Sequence, residues 1–202
     1  MRNFYSIVAA VGVAICLSLI VGADAPAPDG AKVGDVAPKF SLSDQNGTMV
    51  NLSTYAGKIV ILEWTNPDCP FVQEHYKKHT MFNLAAQYEV KGAVWLAIDS
   101  SHDDTNAYNK KWVDEQGLFY PVLNDASGAV GHAYGATNSP HMFIINRQGK
   151  LVYKGAIDND PDGTKGAAKI NYVANALAEV VANKPVTISE TKAYGCAVKY
   201  SN

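Results

Sequence analysis

Ile59-Val60-Ile61-Leu62-Glu63-Trp64-Thr65-Asn66-Pro67-Asp68-Cys69-Pro70 joins an unbroken apolar run to a polar, proline-flanked turn. The run is continuous enough to be a strand buried on both faces, a pattern of strands in mixed α/β sheets. A proline just beyond a polar turn suits the first position of a helix, so Cys69 is expected at a helix amino terminus. There, unpaired backbone N–H groups and the positive end of the helix dipole favour a thiolate, which makes Cys69 the candidate nucleophile. Glu63 sits on an otherwise apolar strand. Buried, it would have a raised pKa and suit proton relay for a thiol; turned outward, it would be an ordinary strand-end carboxylate.

Working outward, short apolar runs alternate with helical stretches, as expected for one α/β domain. Asn46-Gly47 marks a tight turn between Phe40–Leu42 and Met49–Val50, giving an N-terminal hairpin. Past Pro70 a helix is expected to about Tyr88, then a strand over Val90–Ile98 and a helix over Asp104–Gln116. A short extended piece at Phe119–Leu123 and a short helix at Ser127–Tyr134 follow. Met142–Ile145 and Leu151–Tyr153 form a second hairpin around Asn146-Arg147-Gln148-Gly149. Ile170, Val173, Leu177 and Val180 share one face of a last helix. His75 and His79, four apart, read as a surface pair, and Ser100–Asp104 as a helix cap. Trp95 and Trp112 read as core, with Trp64 set apart because it adjoins the active-site turn.

Composition excludes several classes. The 202 residues are 48% hydrophobic and 18% charged, which argues against disorder. With 17 Lys+Arg against 19 Asp+Glu, the chain lacks the basic excess of a nucleic-acid binder. Arg2 followed by the apolar run Phe4–Ala23 has the layout of a secretory signal peptide, cut after Ala23; the alternative is an uncleaved N-terminal anchor in the membrane. Residues 24–32 read as a linker, 33–184 as the domain and 185–202 as an irregular tail. Removing the leader removes Cys16 and leaves Cys69 and Cys196, an even pair in an oxidising compartment, periplasmic or secreted.

Val33-Gly34-Asp35-Val36-Ala37-Pro38-Lys39-Phe40, then Leu42–Gly47, Leu52-Ser53 and Gly57-Lys58, resemble the opening of redoxin domains. These form the branch of the thioredoxin superfamily that holds the alkyl hydroperoxide reductase, thiol-specific antioxidant and peroxiredoxin proteins. Pro140, Phe143, Ile145 and Gly149 resemble its second signature. The resemblance implies a thioredoxin-like fold, with Cys69 as nucleophile, Glu63 at the buried acidic position and Ser139-Pro140 as a cis-proline loop facing Cys69. It also marks departures. Val72 stands where a C-x-x-C motif has its second cysteine, Asn66 where a peroxiredoxin has Thr or Ser, and Pro140 where its Arg would align.

The resulting expectation is an exported thiol-dependent oxidoreductase that needs no organic cofactor. Cys69 attacks or is attacked, Cys196 resolves it, and Glu63, Trp64, Asn66, Pro70, Ser139 and Pro140 form the surroundings. The substrate is a peroxide or a protein disulfide and the electron donor a thioredoxin-like thiol protein. The alternative is a non-enzymatic binding or copper-delivery module in which Cys69 and Cys196 form a structural disulfide. Copper delivery would want two cysteines in one loop, and this loop has one, so no metal ligand is assigned. A Cys69–Cys196 bond would close a loop of more than 120 residues, worth about 5 kcal/mol by the chain-entropy model if unstrained. Amino-terminal sequencing of the exported protein is expected to begin at Asp24; an intact Met1 on a soluble cytoplasmic protein would refute the leader.

Overall fold

A computed structural model describes Met1 and residues 30–201. The leader and most of the expected linker therefore lie outside the described residues. Seven strands form one sheet: β1 (Ser41–Asp44), β2 (Met49–Asn51), β3 (Ile59–Trp64), β4 (Ala93–Asp99), β5 (Val122–Asn124), β7 (His141–Ile145) and β8 (Leu151–Gly155). Their order is β2-β1-β5-β4-β3-β7-β8. The centre, β5-β4-β3, is parallel, and β7 and β8 close one side antiparallel. A separate pair joins β6 (Asn138–Ser139) to β9 (Cys196–Ala197). Among the described residues five α-helices accompany the strands: α1 (Pro70–Lys77), α2 (Thr80–Glu89), α3 (Asn106–Gln116), α4 (Ala129–Tyr134) and α5 (Tyr172–Val181).

The buried run on β3 separates two cores. Ile59 and Ile61 face a cluster with Val72 and Tyr76 of α1, Leu84 of α2, Trp112 of α3 and Leu177 of α5. Val60, Leu62 and Trp64 face the opposite cluster with Phe40, Leu96, Tyr134 and Phe143. This period-two alternation places Glu63 on the first face and turns Trp64 away from it. Trp64 is thus a core residue of the second face, packed on Tyr134 at 5.2 Å and Phe143 at 5.0 Å between ring centroids. Its expected place beside the active-site turn is corrected on that ground, since Cys69 belongs to the first cluster.

The helix expected from Pro70 to Tyr88 is two helices, broken at His79, whose φ is +51°. Tyr76 and Met81 are both buried yet five apart, and a continuous helix would rotate one from the other by about 140°. The left-handed residue resets the phase so that Met81, Leu84 and Tyr88 fall on the buried side. His75 is consequently buried, and the surface pair with His79 does not form. Two helix starts also differ. Thr105, not the Ser100–Asp104 loop, caps α3, its hydroxyl accepting from the Tyr108 N–H at 3.2 Å. Asn171 caps α5, its side chain accepting from the Ala174 N–H at 2.8 Å, which leaves Ile170 outside the helix and 43% exposed.

Leu96 is fully buried on the central strand. Leu96→Ala is expected to cost about 2–5 kcal/mol, read as a lowered denaturant midpoint at unchanged slope.

Candidate active site

Asn66 builds the turn that presents Cys69. Its side-chain oxygen accepts from the Asp68 N–H at 2.8 Å, and its carbonyl accepts from the Cys69 N–H at 3.0 Å. The Asn66 amide is held in turn by Ser101 Oγ at 2.6 Å. Cys69 is the N-cap of α1 and Pro70 its first residue, as the polar turn implies. The Cys69 side chain is 2% exposed, and its S–H donates to the Ser139 carbonyl at 3.0 Å. Ser139-Pro140 is a cis peptide. Val72 is fully buried in the core, so the C-x-x-C position contributes packing and no thiol.

For Cys196 to resolve Cys69, as expected, the tail has to return to the active-site turn. It runs first along β8, where the Lys154 N–H donates to Ser189 and the Thr191 N–H to Lys154, each at 3.1 Å. It then crosses the cis-proline loop. Cys196 pairs with Ser139 and Ala197 with Asn138, antiparallel, and the Asn138 amide donates to the Gly195 carbonyl at 3.0 Å. Gly195 has φ +118°, and a Cβ there would strike the Ser139 carbonyl oxygen, so only glycine allows this approach. Farther on, the Tyr200 ring stacks on His132 at 4.0 Å, and its hydroxyl donates to the Ala136 carbonyl at 2.7 Å.

This crossing brings the two cysteines to one residue: the Cys69 S–H donates to the Ser139 carbonyl, and Cys196 pairs with Ser139 across the two-stranded sheet. Both are free thiols, and Cys196 packs against the core cluster that contains Cys69. Burial first, then the neighbouring Cys69, push the Cys196 thiol up to about 11.

A polar network anchors the tail one turn away. The Tyr194 hydroxyl donates to Asp158 Oδ1 at 2.6 Å and lies 2.9 Å from His75 Nε2. Since the phenolic proton goes to Asp158, His75 Nε2–H is the donor to Tyr194. His75 Nδ1 is buried without a hydrogen-bond partner, which fits a neutral imidazole. Burial pulls the His75 pKa below its ordinary value, against the pull of Asp158. Lys169 Nζ lies 2.6 Å from the other Asp158 oxygen. His75 is on the helix that Cys69 begins and Tyr194 is two residues before Cys196, so the network joins the two cysteine-bearing segments. Tyr194 lies in the 185–202 tail, which the sequence marks only as irregular. His75 and Asp158 carry no local signal, being 119 and 36 residues from Tyr194.

Glu63 is fully buried on the first-core face. Tyr76 donates to its Oε1 at 3.1 Å and the Trp95 indole to its Oε2 at 2.8 Å. Burial pushes its pKa up to about 7 against the opposing hydrogen bonds from Trp95, Tyr76 and Thr65. A carboxyl whose pKa is higher folded than unfolded binds more protons in the folded state. Its stabilising protonation is therefore complete near pH 4.5 and lost as pH rises to about 7, a change of about 3 kcal/mol. Asp99, also raised to about 7 by burial, contributes in the same direction. Glu63→Gln is expected to flatten the Glu63 share of this slope, seen as a smaller loss of stability between pH 5 and 8 than in the parent protein.

Residues 33–154 match the AhpC/TSA family. The thiol-disulfide oxidoreductase ResA of Bacillus thuringiensis is 30% identical over 128 residues, covering 60% of this chain and 68% of ResA. A hypothetical protein of Sinorhizobium meliloti has a crystal structure that superposes with a TM-score of 0.75 at 27% identity, covering 85% of this chain and 96% of that one. A crystal structure described as a putative thiol:disulfide interchange protein DsbE, from Chlorobium tepidum, superposes with a TM-score of 0.55 at 26% identity, covering 62% and 85%. With the fold and the cysteine-bearing helix start in agreement, the chain belongs to the AhpC/TSA family, the redoxin branch of the thioredoxin superfamily, and is a thiol-dependent oxidoreductase.

Proposed function

We propose that the protein is an exported thiol-disulfide oxidoreductase whose redox pair is Cys69 and Cys196. The convergence of Cys69 and Cys196 on Ser139 of the cis-proline loop is the observation that carries the reading. Asn66, Pro70, Ser139 and Pro140 shape the turn and loop around Cys69, and Glu63 holds a proton near neutral pH in the core beneath α1. Oxidation joins the two sulfurs and releases two electrons and two protons to a disulfide substrate. A thiol donor of the thioredoxin kind returns them. Export rests on Arg2 and the apolar run Phe4–Ala23, and it supplies the oxidising setting in which such a pair is useful.

Disulfide exchange is favoured over peroxide reduction by the side chains around Cys69. Asn66, at the position of the peroxiredoxin Thr or Ser, uses its amide on Ser101 and its oxygen on the Asp68 backbone. Pro140 offers no guanidinium. A permanent structural disulfide is disfavoured by a tail held through polar contacts that can part and re-form.

Reduced protein offered a disulfide substrate with a thioredoxin-like donor is expected to turn over repeatedly. The Cys196→Ser protein is expected to complete one half-reaction and stop as a Cys69 mixed disulfide, which intact-mass measurement detects. Unimpaired multiple turnover by Cys196→Ser would refute the pairing. Turnover with hydrogen peroxide but not with disulfides would replace the substrate class.

A further inference from the structure

The Ser100–Asp104 loop, expected as a helix cap, is released from that duty by Thr105. Its two serines instead hold the end of β3 from both faces of the sheet. Ser100 Oγ accepts from the Trp64 indole at 3.0 Å and donates to Asp125 Oδ2 at 2.6 Å. Ser101 Oγ accepts from the Asn66 amide at 2.6 Å, and the Ser101 N–H donates to Asp99 Oδ1 at 2.9 Å. The Asp104 N–H closes the loop on the Ser101 carbonyl at 3.1 Å. Each serine is thus backed by a buried aspartate. Trp64 turns to the second core, whereas Asn66 shapes the Cys69 turn, so the Ser101 side leads to the thiol. Asp99 Oδ2 and Asp104 Oδ2 are both buried without a hydrogen-bond partner. A carboxyl left half-satisfied in the core is costly, and packing alone gives no reason to keep one at position 99.

We propose that Asp99 is a positioning residue for the thiol chemistry, acting through Ser101 and Asn66 to fix the turn that presents Cys69. The inference rests on Cys69 as the reacting sulfur of the function proposed above and is independent of its pairing with Cys196. The connection is unbroken. Asp99 holds the Ser101 N–H, Ser101 Oγ holds the Asn66 amide, and Asn66 accepts from the Asp68 N–H through its side chain and from the Cys69 N–H through its carbonyl. A hydrogen bond to a carboxylate is about twice as strong as one to a neutral acceptor, so the hold tightens when Asp99 ionises. Burial pushes the Asp99 carboxyl up to about 7 against its Ser101 hydrogen bonds, and the neighbouring Asp104 adds to the rise. Below that pH Asp99 is protonated and its grip weakens. The titratable groups around it are Asp104 of the same loop, Asp125 beyond β5, whose N–H donates to the Asp99 carbonyl at 2.8 Å, and Tyr108 of α3, whose hydroxyl donates to Asp68 of the turn. Glu63 lies on the same face of the sheet, and Lys199 Nζ of the tail is 3.9 Å from Asp68.

The test follows Cys69 alone, in the Cys196→Ser protein, by its reaction with the disulfide reagent dithiodipyridine. The Cys69 sulfur attacks one sulfur of the reagent and the reagent's S–S bond breaks. One half stays on Cys69 as a mixed disulfide, and the other leaves as a thiopyridone whose absorbance gives the rate. Asp99→Asn keeps a carbonyl oxygen for the Ser101 N–H but removes the charge. It is expected to react at least about threefold more slowly than its parent near pH 8, and at the parent's rate near pH 5, where the parent's Asp99 is protonated. Glu63 is the same in both proteins and does not enter the comparison. An equal loss at both pH values marks a packing role and overturns the proposal, as does no loss at either. A faster reaction near pH 8 also overturns it, because the charge would then be opposing the thiolate instead of holding the turn. Ser101→Ala cuts the link and leaves Asp99 in place. It is expected to show the same loss near pH 8, and adding Asp99→Asn to it is expected to change the rate by less than about twofold. Full additivity of the two substitutions would show that Asp99 does not act through Ser101. Absence of a Cys69 adduct in peptide mass spectra of the Cys196→Ser protein at either pH removes Cys69 as the reacting sulfur, and the proposed function with it.

Discussion

The backbone of Ser139 serves both cysteines at once. Its carbonyl accepts the Cys69 S–H, and its strand position pairs with Cys196. Around this residue the chain must satisfy two close approaches, one from the start of α1 and one from the tail. The first depends on the Asn66 turn that ends β3; the second depends on Gly195, because no larger residue fits over the Ser139 oxygen. A thioredoxin-type domain with one cysteine in its active-site loop thereby acquires a second thiol at the same cis-proline loop, delivered by the tail. The C-x-x-C position is released from redox duty and used for packing by Val72.

Delivering a thiol this way requires the tail to be held without being made permanent. Backbone pairing along β8 and β6 supplies direction, and the Tyr194 hydroxyl supplies position by bridging His75 of α1 to Asp158. Asp158 is buried and would be costly alone, but Lys169 compensates it and the phenol satisfies its other oxygen. These are polar contacts near the surface of the core, with less apolar burial than the packing of α5 or β4. Such a segment opens more readily than the domain beneath it, which suits the redox role proposed for Cys196.

Much of the fold is legible in the sequence because its elements announce themselves locally. The unbroken run Ile59–Leu62 is the buried central strand, Asn46-Gly47 turns the first hairpin, and Asn146–Gly149 turns the second. Where sequence and structure part, a nonlocal requirement has prevailed. The α1–α2 break exists because Tyr76 and Met81 must both reach the core, although the five-residue spacing that forces it is visible in retrospect. Ile170 fits the helical period but is displaced by the stronger capping of Asn171. Trp64 adjoins the active-site turn in sequence, yet strand alternation sends its side chain to the other face.

The sequence by itself determined the redoxin fold class, the position of Cys69 at a helix start, the loss of a second cysteine at position 72 and the presence of a carboxyl at 63. Each follows from residue type within a few neighbours, where periodicity, turn chemistry and capping act. Only the tertiary structure decided that Glu63 is enclosed by Tyr76 and Trp95, that His75 and Asp158 serve the tail through Tyr194, and that Cys196 outranks Cys69 in exposure. Those outcomes depend on contacts between residues 13 to 119 positions apart. No local propensity encodes such contacts; they arise when the sheet closes and the chain end is laid across it.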